Sequence, residues 1–497
     1  MPSQRSRPGL PRSVAALLGV IVLVTAACGA STVPSPSTSP QSTTATGASQ
    51  TPIAITPAPV ATGAGGLTAD GKVLIRWFVG LGTGAQPDQI GDEQAVVDEF
   101  NKSQDKITLS LEIYQNTTAY DILSTQIAAG NAPDIIGPVG FRGFYAYGDQ
   151  LLDLEPYIAK TGFDTAGMDP AILAAYKEGF GAQVGIPFAI YPSFLYYNKA
   201  LFDEAGVPYP PHKIGEQYDG KPWNWDTLTE LAKKLTVDAT GNDATSAKFD
   251  KQHVDQWGYY MQWTDPRGWG TQRGAGSVVD GSGKAAIPAN WVEAWQWYYD
   301  GMWKDHFIPT GSENRSDLLG PDNAFQSGHV AMDFVHLWYT CCVWPAEGAP
   351  KVKTWDIAVP PADASGKTTA KLHADTFGIM KATKHPDEAF QVLTYLLGND
   401  KLLARYGGFP AVKSKQAAFF TTLDKRFAPN KVDWQVALDM LAYPDVPSHE
   451  ADMPNFLKAD AAIKAFQEKL ITTEGLDIAT EAEGLRSTLQ SLFDQAS

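Results

Sequence analysis

Cysteine is scarce, with three in 497 residues, too few for a disulfide scaffold. Cations are outnumbered, with 39 Lys plus Arg against 55 Asp plus Glu, for a net charge of −16. Nucleic-acid binders need a basic footprint to neutralise phosphate, so no nucleic-acid partner is expected. The same balance argues against attachment to anionic lipid through a basic face. The apolar run at residues 13–27 is too short to span a bilayer as a helix. No repeat is visible at a solenoid or propeller period. GxSxG, HExxH and phosphate-loop sequences are absent, and no Cys/His spacing suits zinc. A GLGTG run at 80–84 lacks the spacing and later acid of a dinucleotide fingerprint. Asp238, Thr240, Asn242 and Asp243 read as a polar turn rather than a calcium loop. The expectation is therefore no catalytic residue, no cofactor and no metal.

What is present begins with an address. Arg5, Arg7 and Arg12 precede the apolar run, and residues 13–69 contain no Asp, Glu, Lys or Arg. A basic start followed by a short apolar stretch fits an export signal over residues 1–27. The run ends Val24-Thr25-Ala26-Ala27-Cys28-Gly29, which resembles a bacterial lipobox with Thr25 where Leu is usual. In that reading Cys28 takes the lipid; otherwise the segment is an ordinary cleaved signal. Residues 28–69 are almost wholly Ser, Thr, Pro, Ala and Gly, a composition that cannot bury enough apolar surface to order itself. They read as a tether. Without the leading arginines the remainder carries −19, an acidic extracytoplasmic domain from about residue 70.

The rest patterns as α/β. Residues 72–79 (KVLIRWFV) read as a strand, and Val96, Val97 and Phe100 take helical spacing. Ile107, Leu109, Leu111 and Ile113 alternate with polar residues at a period of two. Residues 121–129 form a helix closed by Gly130, and 134–137 a short buried strand. Strand–helix–strand–helix–strand implies a parallel sheet with a ligand crevice beyond the strands' carboxyl ends. Those ends fall at 80–89, 115–118 and 138–142. Further on, Leu228, Leu231, Ala232 and Leu235 share a helix face, and Pro386 and Gly398 bracket another helix. Leu485, Leu489 and Leu492 make the last helix amphipathic.

Several segments, in order, resemble the bacterial solute-binding proteins that serve ABC importers, the sugar/maltose-binding group. They are VVDEFNKSQDKITLSLE, TQIAAGNAPDII, GIPFAIYPSFLYYNKALFDEAGVPYPP with WNWDTLTELAKKL, FQSGHVAMDFVHLW, WDIAVPP, FGIMKATKHPDEAFQVLTYLLG and GGFPAV. The resemblance implies a two-lobed periplasmic-binding-protein fold (type II), with mixed sheets flanked by helices and the ligand between the lobes. By analogy, 70–187 and 328–362 form the N-terminal lobe, and 188–327 and 363–497 the C-terminal lobe. The implied partners are a carbohydrate and the permease subunits of an ABC importer, for a monomer touching the membrane only through its lipid.

Sugar sites pair aromatic rings, for the apolar pyranose faces, with planar polar groups that bridge hydroxyls. Trp263, Asp265, Arg267 and Trp269 offer both in one Pro/Gly-rich loop. Trp291, Trp295 and Trp297 take helical spacing and read as core. Trp338 and Tyr339 follow a strand where the family presents an aromatic to the cleft; His336 beside them reads equally as donor or structural histidine. Phe141 and Arg142 end a predicted strand, and Tyr191 follows the crossing segment GIPFAI. Asp375, and Arg405 with Phe409, are further candidates, as are Gly82, Thr83 and Gln86 at the first strand's end. Cys341 and Cys342 either form a vicinal disulfide or stay as thiols. Two rivals to the transport reading are a secreted glycoside hydrolase, for which no carboxylate pair stands out, and a sensing or adhesion lipoprotein.

Overall fold

The alternation at 107–113 becomes a strand, Ile107–Ile113, whose odd-numbered side chains are buried. It runs parallel to Val73–Val79 in unbroken register, from Val73 opposite Ile107 to Val79 opposite Ile113. On its other edge Val73–Val79 pairs in parallel with Ile135–Val139. The chain thus reverses its direction of travel across the sheet at the 73–79 strand, and a crevice opens at such a switch point. Helices Pro87–Ser103 and Asn116–Ala128 make the crossovers. The first starts nine residues before Val96, where the apolar spacing begins, because Pro87 stands at its first turn and Gln86 and Gln89 close a capping box there.

The computed structural model describes residues 62–496 apart from 64, 65, 169, 321–322 and 345–348. The expected export signal, Cys28 and all but the end of the tether lie outside the described residues. Among those described, no helix is long and apolar enough to cross a membrane.

A second sheet region is built on Ala189–Asn198, ten consecutive buried residues. Its first half pairs antiparallel with Leu372–Asp375 on one side and Phe409–Pro410 on the other. Its second half pairs with Met332–His336 and with Trp355–Ala358. The Leu372–Ile379 strand then continues, through an irregularity between Thr376 and Gly378, onto Ile135–Val139. Two strands therefore run from one half of the molecule to the other, giving the mixed two-lobed architecture.

This pairing corrects the expected lobe boundaries. Strands 332–336 and 355–358, expected in the N-terminal lobe, lie on the far half of the 189–198 strand. Residues 372–405, expected in the C-terminal lobe, rejoin the first: helix Pro386–Leu397 packs on strands 372–379 and 73–79, and helix Asp400–Arg405 on helix 87–103. Segment order along the chain does not reveal which sheet a strand joins, because antiparallel pairing between distant segments is a tertiary choice. Trp291 and Trp295 are fully buried, as their helical spacing implied.

The helix 87–103 carries one costly group. Glu93 is fully buried, with Oε1 accepting a 2.6 Å hydrogen bond from the Tyr406 hydroxyl and Oε2 unpartnered. Burial pushes its pKa up to about 8, against the pull of the Tyr406 hydroxyl. An acid whose folded pKa is raised favours the fold below its unfolded value near 4.5 and loses that contribution as pH rises to about 8. Glu93→Gln should therefore gain stability relative to the parent between pH 5 and pH 8, by up to a few kcal/mol (~1.4 per pH unit). Denaturant melts of both proteins at the two pH values test this. A constant difference between them would show that Glu93 is ionised throughout.

Candidate ligand cleft

Three strand ends meet at the crevice because two glycines permit close approach. Gly80 has φ +117°, and a Cβ there would lie 1.8 Å from the Tyr114 carbonyl oxygen. Asn116 holds the turn by donating to the Gly80 and Leu81 carbonyls at 3.1 and 2.8 Å. Gly140 ends the 135–139 strand, where a Cβ would stand 3.1 Å from Asp375 Oδ1 and 3.2 Å from Glu450 Oε2. Two carboxyl groups thus approach the same backbone position. Burial, and then the charge of Glu450, push Asp375 up to about 8. Glu450 is held below the usual range: burial opposes this, but His373, His449, Arg267 and Arg142 surround it.

A chain of alternating charges crosses between the lobes. Arg142 donates from Nε and Nη2 to Asp460 at 3.1 and 2.8 Å, and its guanidinium lies 4.5 Å from the Tyr120 ring centre. Arg142 belongs to helix Phe141–Tyr147, packed on strands 135–139 and 372–379. Asp460 belongs to helix Phe456–Thr472, packed on helices Pro266–Thr271, Ala289–Trp303 and Ile478–Phe493. Asp460 in turn meets Arg267 at 3.6 Å, and Arg267 meets Asp265 at 2.9 Å. Burial would raise Asp265, but the Arg267 guanidinium prevails and holds it down to about 2.

The second element is aromatic. Trp263 is 40% exposed, sits at φ +53° and stacks on the half-buried Trp338 with ring centres 5.4 Å apart. Trp338 stacks at the same distance on His336. His336 packs 3.9 Å from His373, and His373 Nε2 lies 3.0 Å from His449 Nε2. Burial, above all, lowers His373 to about 4. An aromatic row therefore runs from the exposed Trp263 inward to a histidine cluster beside Glu450, which is 3.7 Å from His373.

The structure brings together Trp263, Trp338, Phe141, Arg142 and Asp375 around these elements, with Asp265 and Arg267 behind them. Other expected residues have other surroundings. Trp269 is buried against Tyr298, with ring centres 4.1 Å apart. Tyr339 is fully buried beneath the pair, its ring edge-on to Trp263 with centres 5.5 Å apart, and its hydroxyl donates to Asn323 Oδ1. Tyr191 is buried in the 189–198 strand opposite His373. Arg405 pairs with Asp88 and Asp92 of helix 87–103, and Phe409 stacks on Phe420. Gly82 abuts the Pro138 carbonyl, Thr83 accepts a 3.0 Å hydrogen bond from Gln89, and the exposed Gln86 caps the helix, so these three build a turn. Cys341 and Cys342 are bonded to each other, just beyond Tyr339. Asp238 spends its carboxylate on Thr240, Asn242 and Asp250 within its turn.

The sequence reading missed Tyr120, His373, His449, Glu450 and Asp460. It also set metal aside for want of Cys/His spacing, yet His336, His373 and His449 place ligand atoms within 4.8 Å of one another. They stand 37 and 76 residues apart, beyond the reach of any spacing rule.

Comparison with known proteins agrees with this architecture. The family described as bacterial extracellular solute-binding protein matches residues 86–401. A protein of Brucella abortus (strain 2308) is 25% identical over 363 residues, which cover 69% of this chain and 80% of that one. The ABC substrate-binding protein Lmo0181 of Listeria monocytogenes, solved with cycloalternan, superposes with a TM-score of 0.66 at 21% identity, covering 84% of this chain and 98% of that one. Maltose-bound MalE3 of T. maritima gives 0.63 at 20% identity, covering 84% and 99%. With the family matched across most of the folded part, and the two lobes, crossing strands and crevice all in place, this chain belongs to the bacterial extracellular solute-binding proteins.

Proposed function

We propose that the protein is the lipid-anchored, extracytoplasmic substrate-binding component of an ABC importer, and that it captures a sugar or oligosaccharide between its lobes without chemical turnover. The observation that carries the sugar reading is the cleft's composition. An indole pair, the exposed Trp263 and the half-buried Trp338 beneath it, stands with the planar polar groups Arg142, Asp375 and Glu450. Rings serve the C–H faces of a pyranose, and planar groups serve adjacent hydroxyls. The solved relatives bound to cycloalternan and maltose support the same class. Cys28 would carry the lipid, residues 28–69 would give the domain reach, and a permease would receive the closed form. A ligand that touches both lobes favours closure because it binds the closed state better.

Thermal-shift screening of the purified protein against mono- and oligosaccharides, with amino acids and polyols as controls, tests the reading. A sugar at a hundred times its Kd should add about 2.7 kcal/mol of stability. The expected result is a sharp rise with one sugar series and no hydrolysis of that sugar. A flat response from a folded sample would remove the carbohydrate assignment; release of product would replace capture with hydrolysis.

A further inference from the structure

We propose that His336, His373 and His449, with Glu450 beside them, form a binding site for a divalent transition metal, Zn²⁺ fitting best, at the inner end of the aromatic row. The proposal stands whatever solute the cleft takes. Its basis is convergence from three separate elements. His336 ends the 332–336 strand, His373 lies in the crossing 372–379 strand, and His449 lies in the segment before helix 456–472. Their ring nitrogens come within 4.8 Å of one another.

The hydrogen bonds around the cluster are those of a ligand set. Asp445, 3% exposed, accepts from His449 Nδ1 at 2.6 Å, and from the backbone N–H of His449 and of Leu372 at 2.8 Å each. That carboxylate fixes the proton on Nδ1 and leaves the His449 Nε2 lone pair facing His373 Nε2, 3.0 Å away. A carboxylate that orients a histidine through its outer nitrogen is the usual support for a metal ligand. His336 supplies the second, independent sign. It is 1% exposed, and among the described residues neither of its ring nitrogens has a hydrogen-bond partner. Buried polar atoms without partners are rare, and a cation would occupy a lone pair that no described residue does.

The spacing suits a small borderline ion. Zn–N bonds of about 2.0–2.1 Å in a tetrahedron place ligand atoms about 3.3 Å apart. The 3.0 Å between the two Nε2 atoms, and the 3.7 Å from His373 Nε2 to Glu450 Oε1, bracket that edge. Three imidazoles and one carboxylate favour Zn²⁺ and its neighbours over Ca²⁺ or Mg²⁺, which take oxygen ligands. A bound ion would tie the crossing strand to the segment that presents Glu450 to the Arg142 backbone N–H.

The test uses the full chain, purified without a metal-affinity tag, stripped with chelator and titrated with Zn²⁺ by calorimetry. Bound metal is counted after desalting, and Co²⁺ serves as a visible probe of tetrahedral nitrogen ligation. One equivalent of Zn²⁺ per chain is expected, with a rise in melting temperature that Mg²⁺ and Ca²⁺ do not produce. His373→Gln and His336→Phe, the latter keeping a ring against Trp338, should each weaken Zn²⁺ binding at least a hundredfold, and Asp445→Asn about ten- to a hundredfold. Fewer than about 0.2 equivalents bound by the folded parent would overturn the site, and this outcome needs no variant to fold. Undiminished binding in a folded His373→Gln protein, or Co²⁺ spectra lacking tetrahedral bands, would overturn it as well.

Discussion

Arg267→Met is expected to destabilise the fold by about 3–5 kcal/mol, the usual cost of removing one partner from a buried ion pair. The guanidinium is 2% exposed and serves two carboxylates at once. Its Nε and Nη2 donate to Asp265 Oδ2 at 3.1 and 2.9 Å, and Nη2 lies 3.6 Å from Asp460 Oδ1. Methionine matches much of the volume, so packing changes little while the charge disappears. Asp460 keeps Arg142 and Lys464, at 2.8 and 3.2 Å. Asp265 keeps only the two backbone N–H groups that it caps, those of residue 267 and of Gly268. The penalty should therefore fall on Asp265. In the parent, Arg267 holds that carboxyl down to about 2, against burial, so it contributes stability above pH 4 that is lost as pH falls toward 2. In the variant burial is opposed only by what remains, chiefly those two backbone N–H groups, so the carboxyl leans toward its proton and ionising it above pH 4 becomes a cost. The gap between parent and variant should thus be widest at pH 7, smaller at pH 4, where the parent still keeps its Arg267 contribution, and close only as pH falls toward 2. Denaturant melts at both pH values measure it; a gap under about 1 kcal/mol at pH 7 would mean that Asp265 finds solvent.

Arg267 also shows why the site was harder to read than the sheet. Strands 73–79 and 107–113 declare themselves locally, through apolar runs and alternation that span only seven residues each. Helices 225–235 and 386–397 likewise begin at Asn224 and Pro386, where capping and φ preferences act within one turn. In the 263–269 segment, whose Pro and Gly suggest a loop but which turns helical from Pro266, a guanidinium resembles a surface group, because an unpaired charge would have to be solvated. It is buried because two carboxylates meet it, Asp265 two residues earlier at 2.9 Å and Asp460, 193 residues later, at 3.6 Å, and only the fold brings the second. Arg405 was misplaced in the same way, since its partners Asp88 and Asp92 lie more than 300 residues earlier. Tryptophans can be picked out of the sequence, but their exposure cannot: Trp263 is 40% exposed and Trp269 3%, and like the ion pairs and the histidine cluster that difference is fixed by the fold.

Trp263, just before the helix 266–271, and Trp269 within it should respond to alanine in opposite ways. Trp263 is 40% exposed and rests on Trp338, so its removal opens no cavity. Its left-handed φ of +53° is unfavourable for alanine and tryptophan alike, so strain does not separate the two proteins. Under the proposed function its free surface is a sugar platform. Losing an aromatic contact worth about 1.5 kcal/mol or more weakens binding at least tenfold. Trp263→Ala is therefore expected to raise Kd for the sugar found by screening by about ten- to a hundredfold, with melting temperature nearly unchanged. Trp269 is 3% exposed, stacked at 4.1 Å on Tyr298, and its removal leaves a void against that ring. Trp269→Ala should cost about 3–5 kcal/mol of stability. Its folded fraction, measured well below the melting midpoint, should bind sugar within about threefold of the parent. Calorimetric titration of both variants beside their melts separates the two effects. Equal loss of affinity in both, or retained affinity in Trp263→Ala, would move the sugar platform away from the indole pair and leave the charged wall of Arg142, Asp375 and Glu450 as the recognition surface.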